Sequence, residues 1–91
     1  MTEPQNKSEL YKDLFLDLVY SMQTAALQNL GKLDNPLTNE PLVDLENAEN
    51  YIDLLEMLRI KTENNLIDEE IEYLNTTLAD VKTLYNKAKR K

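Results

Sequence analysis

The chain contains no cysteine, no histidine and no tryptophan among its 91 residues. Structural zinc sites take thiolate or imidazole ligands in nearly every case, so this composition excludes them. It also excludes nucleophilic catalysis by serine–histidine or cysteine–histidine pairs. Because no disulfide can form, nothing in the sequence argues for an oxidising compartment.

Glycine and proline are also scarce, with one glycine and three prolines in the chain. An all-β fold needs many tight turns, and these two residues supply many of them. Leucine, glutamate, lysine, alanine and asparagine dominate instead, a composition that favours helix. The length predicts one domain, near the small end of the sizes that fold independently.

Long apolar runs are absent too, since none approaches the roughly 20 residues of a membrane span. The longest apolar region, residues 14–30, is interrupted by polar side chains such as Asp17, Gln23 and Asn29. The N-terminus is polar and lacks the basic-then-apolar pattern of a signal peptide. We therefore expect a cytoplasmic protein without membrane insertion.

The net charge is −7, so most of the surface repels phosphate backbones and nucleic-acid binding is not expected. The C-terminus is the exception, because it carries five basic residues: Lys82, Lys87, Lys89, Arg90 and Lys91. A basic helix end can contact RNA or anionic lipid. It equally complements the helix dipole, and no aromatic cluster accompanies it for base stacking. A role as an RNA- or ribonucleoprotein-associated accessory factor stays open as an alternative.

Apolar residues recur at steps of three and four in three segments, which predicts helices at about residues 8–30, 44–61 and 68–87. The segment between the first two contains Asn-Pro and Glu-Pro turns and is predicted to be a loop against the core. The predicted fold class is therefore all-α, a three-helix antiparallel bundle-like domain. It would occupy residues 8–88, between a disordered tail at 1–7 and a basic end at 89–91.

Five residues are predicted to begin or end these helices. Ser8, Asp44 and Asp68 stand where N-cap residues are wanted, because their side chains can accept hydrogen bonds from free backbone N–H groups. Gly31 follows the first helix, where a left-handed residue commonly ends a helix. Asn64 stands at the corresponding place after the second helix and tolerates the same conformation.

Many residues also stand in an order and spacing that are fairly specific when taken together. They are Phe15, Ala26-Leu27, Leu30-Gly31, Asn35-Pro36, Leu45, Ala48, the block from Ile52 to Leu58, Lys61-Thr62, Asn65-Leu66, Glu70, Leu74 and Leu78. With these residues the chain resembles a small bacterial family, domain of unknown function 1844. That family often has glycine where this chain has Asn39 and Asn64, and asparagine tolerates positive φ nearly as well. The resemblance implies a small all-helical bacterial protein and no particular activity.

Four carboxylates, Glu46, Glu49, Asp53 and Glu56, repeat at steps of three and four on the second predicted helix. Such a face can bind Mg²⁺ or Ca²⁺, which prefer oxygen ligands, and Glu49, Asp53 and Glu56 are the weak candidates. A solvated helix face is the favoured interpretation. No cofactor is expected and no enzyme acting alone is predicted, while a carboxylate-based metal protein stays open as a second alternative.

The first predicted helix has apolar residues on more than one face, which exceeds what one packing surface requires. A chain this short gains little net stability from a single small core. We therefore predict a two-fold dimer whose interface comes from the first helix, with Phe15, Leu16, Val19, Tyr20, Met22 and Leu27. A helix of another protein in the same groove is the rival occupant. The expected function is that of a small non-catalytic interaction or structural protein.

Overall fold

The computed structural model describes residues 7–90. It contains, in chain order, α1 (Lys7–Asn29), β1 (Leu30–Asn35), β2 (Glu40–Val43), α2 (Leu45–Lys61) and α3 (Asp68–Lys89). The three predicted helices are confirmed, each with ends within two residues of the predicted ones. The tail predicted to be disordered lies outside the described residues except for Lys7, which begins α1.

The predicted all-α fold class is wrong, because the segment between α1 and α2 forms an antiparallel β-hairpin rather than a loop. Its paired residues are Leu30 with Val43, Asp34 with Pro41 and Asn35 with Glu40. The register is irregular between Leu30 and Asp34, so a bulge interrupts the apolar–polar alternation that would indicate a strand. Pro41 also argues against a strand in sequence, yet proline is tolerated at a sheet edge, and both strands of a two-stranded sheet are edges.

Three described residues have a positive φ, and they are Gly31 at 75°, Asn39 at 59° and Asn64 at 68°. Asn39 closes the hairpin turn, where its N–H donates to the carbonyl oxygen of Asn35 at 2.7 Å. Gly31 follows α1 and lies close to β2, so that a Cβ at this position would be 2.9 Å from Cγ2 of Val43. The left-handed conformations expected at Gly31, Asn39 and Asn64 are therefore all observed.

The junction of the hairpin with α2 depends on Asp44, which is the N-cap residue as predicted. Its Oδ1 accepts a hydrogen bond from the N–H of Asn47 at 3.0 Å. Its own N–H donates to the carbonyl oxygen of Asn29 at 2.7 Å, which holds the start of α2 beside the end of α1. Ser8 lies inside α1, since that helix already includes Lys7, and the N-cap of α1 falls outside the described residues.

The turn into α3 differs from the prediction by one residue. The N-cap is Ile67 and not Asp68, which is the first helical residue. Isoleucine has no side-chain acceptor, but the N–H of Ile67 is satisfied by Oε1 of Glu70 at 2.9 Å. Asp68 still lies in the first turn, where a negative charge stabilises the helix dipole.

The core lies among the three helices, and its cluster of buried residues consists of Val19, Ala26, Ile52, Leu55, Leu74, Leu78 and Val81. Although α1 is 23 residues long, it buries only Val19 and Ala26 completely. Nδ2 of Asn47 donates to Oδ1 of Asn29 at 3.2 Å, so α1 and α2 are joined at the hairpin end and run in opposite directions. Within residues 7–90, none of the helices is both long and apolar enough to cross a lipid bilayer.

Candidate functional site

Large apolar side chains are frequent on the surface of this protein. Thirteen of them are exposed within residues 7–90, whereas nine apolar residues of any size are buried. The exposed ones are Tyr11, Leu14, Leu18 and Tyr20 on α1, Leu33, Leu37, Leu42 and Val43 in the hairpin, Leu54, Met57 and Ile60 on α2, and Ile67 and Ile71 around the start of α3. Scattered apolar residues are normal on a surface, whereas contiguous groups mark interaction sites.

Five of these side chains lie on one side of the α1–α2 pair. Tyr11, Leu14 and Leu18 are three and four residues apart on α1, so they lie on the same side of that helix. Further steps of four, three and four residues continue this row from Leu18 to Asn29. Asn29 is hydrogen-bonded to Asn47 of α2. On α2, steps of four and three residues lead from Asn47 to Leu54, and Met57 follows three residues later. The row on α1 and the row on α2 thus both begin at the Asn29–Asn47 hydrogen bond, so the two rows lie side by side.

We define the α1/α2 face as Tyr11, Leu14, Leu18, Leu54 and Met57, which are 58%, 53%, 44%, 39% and 40% exposed. Taken together, these fractions equal about two fully exposed apolar side chains. Full burial of such a side chain contributes about 1.5–3 kcal/mol. Covering the face would thus contribute on the order of 3–7 kcal/mol for each copy of the chain.

The structure does not bring the six predicted interface residues together on one surface. Val19 is completely buried in the core, and Phe15 and Met22 are half-buried and pack against it. Leu16 and Leu27 are half-buried beside α3, where each lines a separate shallow cavity.

Tyr20 alone of the six is largely exposed. Periodicity alone gives no signal that separates the exposed Tyr11, Leu14 and Leu18 from the buried positions of α1.

The carboxylate row on α2 is divided between solvent and an ion-pair network. Glu49 and Asp53 are exposed. Oε1 of Glu56 accepts a hydrogen bond from Nζ of Lys82 at 3.0 Å, and its Oε2 accepts one from Nε of Arg59 at 2.6 Å. These bonds, first from Lys82 and then from Arg59, hold the pKa of Glu56 below its ordinary value. Within residues 7–90 no three acidic side chains converge as a metal site would require.

The family profile of domain of unknown function DUF1844 matches residues 12–87, which include most of α1, the whole hairpin, α2 and nearly all of α3. The chain belongs to this family. No curated protein and no solved structure matches it. The description of DUF1844 names no activity, so a function has to be argued from the geometry of this chain.

This DUF1844 chain has one further cavity of note, at the corner between α2 and α3, with a volume of about 360 Å³. Its lining includes Arg59, Thr62 and Leu66. The Nε of Arg59 is bound to Glu56, and the hydroxyl of Thr62 donates to the carbonyl oxygen of Leu58 at 2.6 Å. These polar groups therefore stabilise the corner itself.

The basic end of α3 is partly engaged within the chain. Lys82 is paired with Glu56, and Nζ of Lys89 lies 5.7 Å from the centre of the Tyr85 ring, within the range of a cation–π interaction. Lys91 lies outside the described residues. The RNA-associated role stays a prediction, and so does the metal-binding role of α2.

Proposed function

We propose that this protein is a small, non-catalytic interaction protein that works as an oligomer, most simply as a homodimer to which α1 contributes much of the interface. The observation that carries the proposal is the surplus of exposed apolar side chains, which α1 and α2 present in rows at helical spacing. Rows on two adjacent helices form a contiguous patch, and contiguous patches mark sites where another surface binds. The proposed location is the bacterial cytoplasm, which a chain without cysteine suits.

The chemistry of the titratable groups supports a non-catalytic role. General acid–base catalysis works best when a group titrates near the operating pH, and enzymes raise carboxylate pKa values to achieve this. The pKa of Glu56 is shifted the other way, by hydrogen bonds from Lys82 and Arg59. Glu56 joins α2 to α3 as an ion-pair partner, which is a structural task.

Sedimentation equilibrium of the purified chain at micromolar concentrations tests the proposal. We expect a mass near twice the 10.6 kDa of the single chain, approaching the monomer mass only on dilution. Thermal unfolding followed by circular dichroism on the same samples establishes that the helices are folded. A cooperatively folded protein that stays monomeric at every concentration contradicts self-association.

A further inference from the structure

We infer that a second copy of this chain covers the α1/α2 face, so that two α1–α2 pairs pack across a two-fold axis as a four-helix bundle. The inference rests on the proposed oligomeric function and specifies the surface that performs it. It makes α2 as much a part of the interface as α1. It also removes Leu16, Tyr20 and Leu27 from the interface, because they lie on the side of α1 toward α3 or away from α2.

The distribution of charge is the first argument that the occupant is another copy. The chain has a net charge of −7, so most pairs of its surfaces repel one another. The two rows that run along the middle of the α1/α2 face are an exception, because they contain no carboxylate, whereas the exposed Asp17 and Asp53 lie beside Leu18 and Leu54 at its outer edges. The two rows consist of Lys7, Tyr11, Leu14, Leu18, Met22, Ala25 and Asn29 on α1, and of Asn47, Tyr51, Leu54, Leu58 and Lys61 on α2. Two copies of this acidic protein can therefore meet here with apolar side chains in the middle and their carboxylates at the rim, where solvent and salt screen the repulsion.

The ends of the face are complementary to each other under two-fold symmetry. Lys7 and Lys61 lie at one end, where α1 begins and α2 finishes. Asp44 and Glu46 lie at the opposite end, where α2 begins. A two-fold axis that lies in the interface and runs perpendicular to the helices places the basic end of each copy against the acidic end of the other, as a self-complementary interface requires.

The groove between α1 and α3 lacks this complementarity. Leu16 lines a cavity there together with Glu69 and Glu72, and Leu27 lines another with Asp80. Lys12 pairs with Glu69 at 3.4 Å, but two copies that met through this groove would still bring the carboxylates of Glu72 and Asp80 into the interface, where like charges are costly.

The hairpin is also a poorer candidate for self-association. Leu42 and Val43 are consecutive in β2, so their side chains point to opposite faces of the sheet. Its edges are blocked as well, by the bulge in β1 and by Pro41 in β2, which are features that prevent strands from adding to an edge.

The dimensions of the α1/α2 face suit a dimer. The 17 residues of α2 extend about 25 Å at 1.5 Å per residue. Two helices of about 10 Å diameter, with axes 8–10 Å apart, make a surface about 19 Å wide. The resulting flat area is close to 500 Å² per copy, or about 1,000 Å² for both, which is at the low end of specific interfaces and fits a dimer that dissociates on dilution.

Charge substitutions on the full chain test the inference, with the dimer dissociation constant measured by sedimentation equilibrium. Leu18→Glu and Leu54→Glu should each raise it by at least about 100-fold, because each dimer would bury two unpaired charges and about 1.4 kcal/mol per charge is tenfold. Tyr20→Glu is the matched control. It is two residues and about 200° around α1 from Leu18, and it should change the constant by less than about threefold.

A cross-linking experiment keeps the test decisive if a charged variant fails to fold. The chain has no cysteine, so a single introduced thiol is unique. Under mild oxidation Leu18→Cys, near the middle of the face, should form a covalent dimer, whereas Tyr20→Cys should not. A wild-type dimer that Tyr20→Glu weakens and Leu18→Glu leaves intact overturns the inference but not the proposed function. A wild type that is folded and strictly monomeric overturns both the inference and the proposed self-association, and the α1/α2 face would then be a binding site for a different protein.

Discussion

Replacing Gly31 with alanine should destabilise the protein through two separate effects. Gly31 has a φ of 75°, and a left-handed conformation costs a residue with a Cβ about 1–2 kcal/mol. The new Cβ would also be 2.9 Å from Cγ2 of Val43. Overpacking of this kind typically costs about 1–3 kcal/mol. Alanine also lowers the conformational entropy of the unfolded chain, which stabilises the folded state by about 0.4–1 kcal/mol. The free energy of unfolding should therefore fall by about 1–5 kcal/mol.

Urea denaturation followed by circular dichroism measures this change, with all samples at one protein concentration because the proposed self-association would shift the apparent stability. The double variant Gly31→Ala with Val43→Ala separates the two effects. It removes the contact with Cγ2 and keeps the backbone strain, so a double-mutant cycle should show that the cost of Gly31→Ala is smaller when Val43 is already alanine.

Asn39→Gly is the control for backbone conformation, since it places glycine where φ is already positive and should change stability little. If Gly31→Ala leaves the free energy of unfolding within about 0.5 kcal/mol of wild type, the size of a neutral surface substitution, then neither the strained φ nor the approach to Val43 holds in solution.

Two further substitutions test contacts around α2. Asp44→Ala removes the acceptor of the Asn47 N–H and should cost about 0.5–2 kcal/mol in urea denaturation, and an unchanged unfolding midpoint would refute the cap. Because the folded pKa of Glu56 is lowered, its ion pairs should stabilise the protein at neutral pH, and that stability should disappear as the pH falls from about 4 through the lowered value. The free energies of unfolding of the wild type and of Glu56→Gln should therefore differ at pH 7 and become equal in acid. A difference of the same size at both pH values would show that the ion pairs with Lys82 and Arg59 are not the cause of the destabilisation.

The helices were predictable because their signals are local. N-cap chemistry at Asp44 and the tolerance of Asn64 for positive φ depend on residues within one helical turn, so the sequence contains the whole interaction. The cap at Ile67 shows the limit of this reasoning. An isoleucine is a poor N-cap by its own side chain, and it serves because Glu70, three residues later, accepts its N–H.

The candidate site was only partly predictable. A surplus of apolar residues on α1 was evident from the sequence, but its direction was not. Steps of three and four place Leu14 and Leu18 as close to a hydrophobic stripe as Phe15 and Val19. Only the position of α2 relative to α1 decides that Val19 is buried while Leu18 remains exposed.

By itself, the sequence determined that this chain forms three helices, where they begin and end to within two residues, and which residues accept a positive φ. Those properties come from interactions between near neighbours along the chain. The hairpin and the α1/α2 face were decided by the tertiary structure. Strand pairing joins Leu30 to Val43 across a bulge, and burial depends on which helix lies beside which. Strand pairing and burial both require contacts between residues that are distant in sequence, and a local sequence pattern does not specify such contacts.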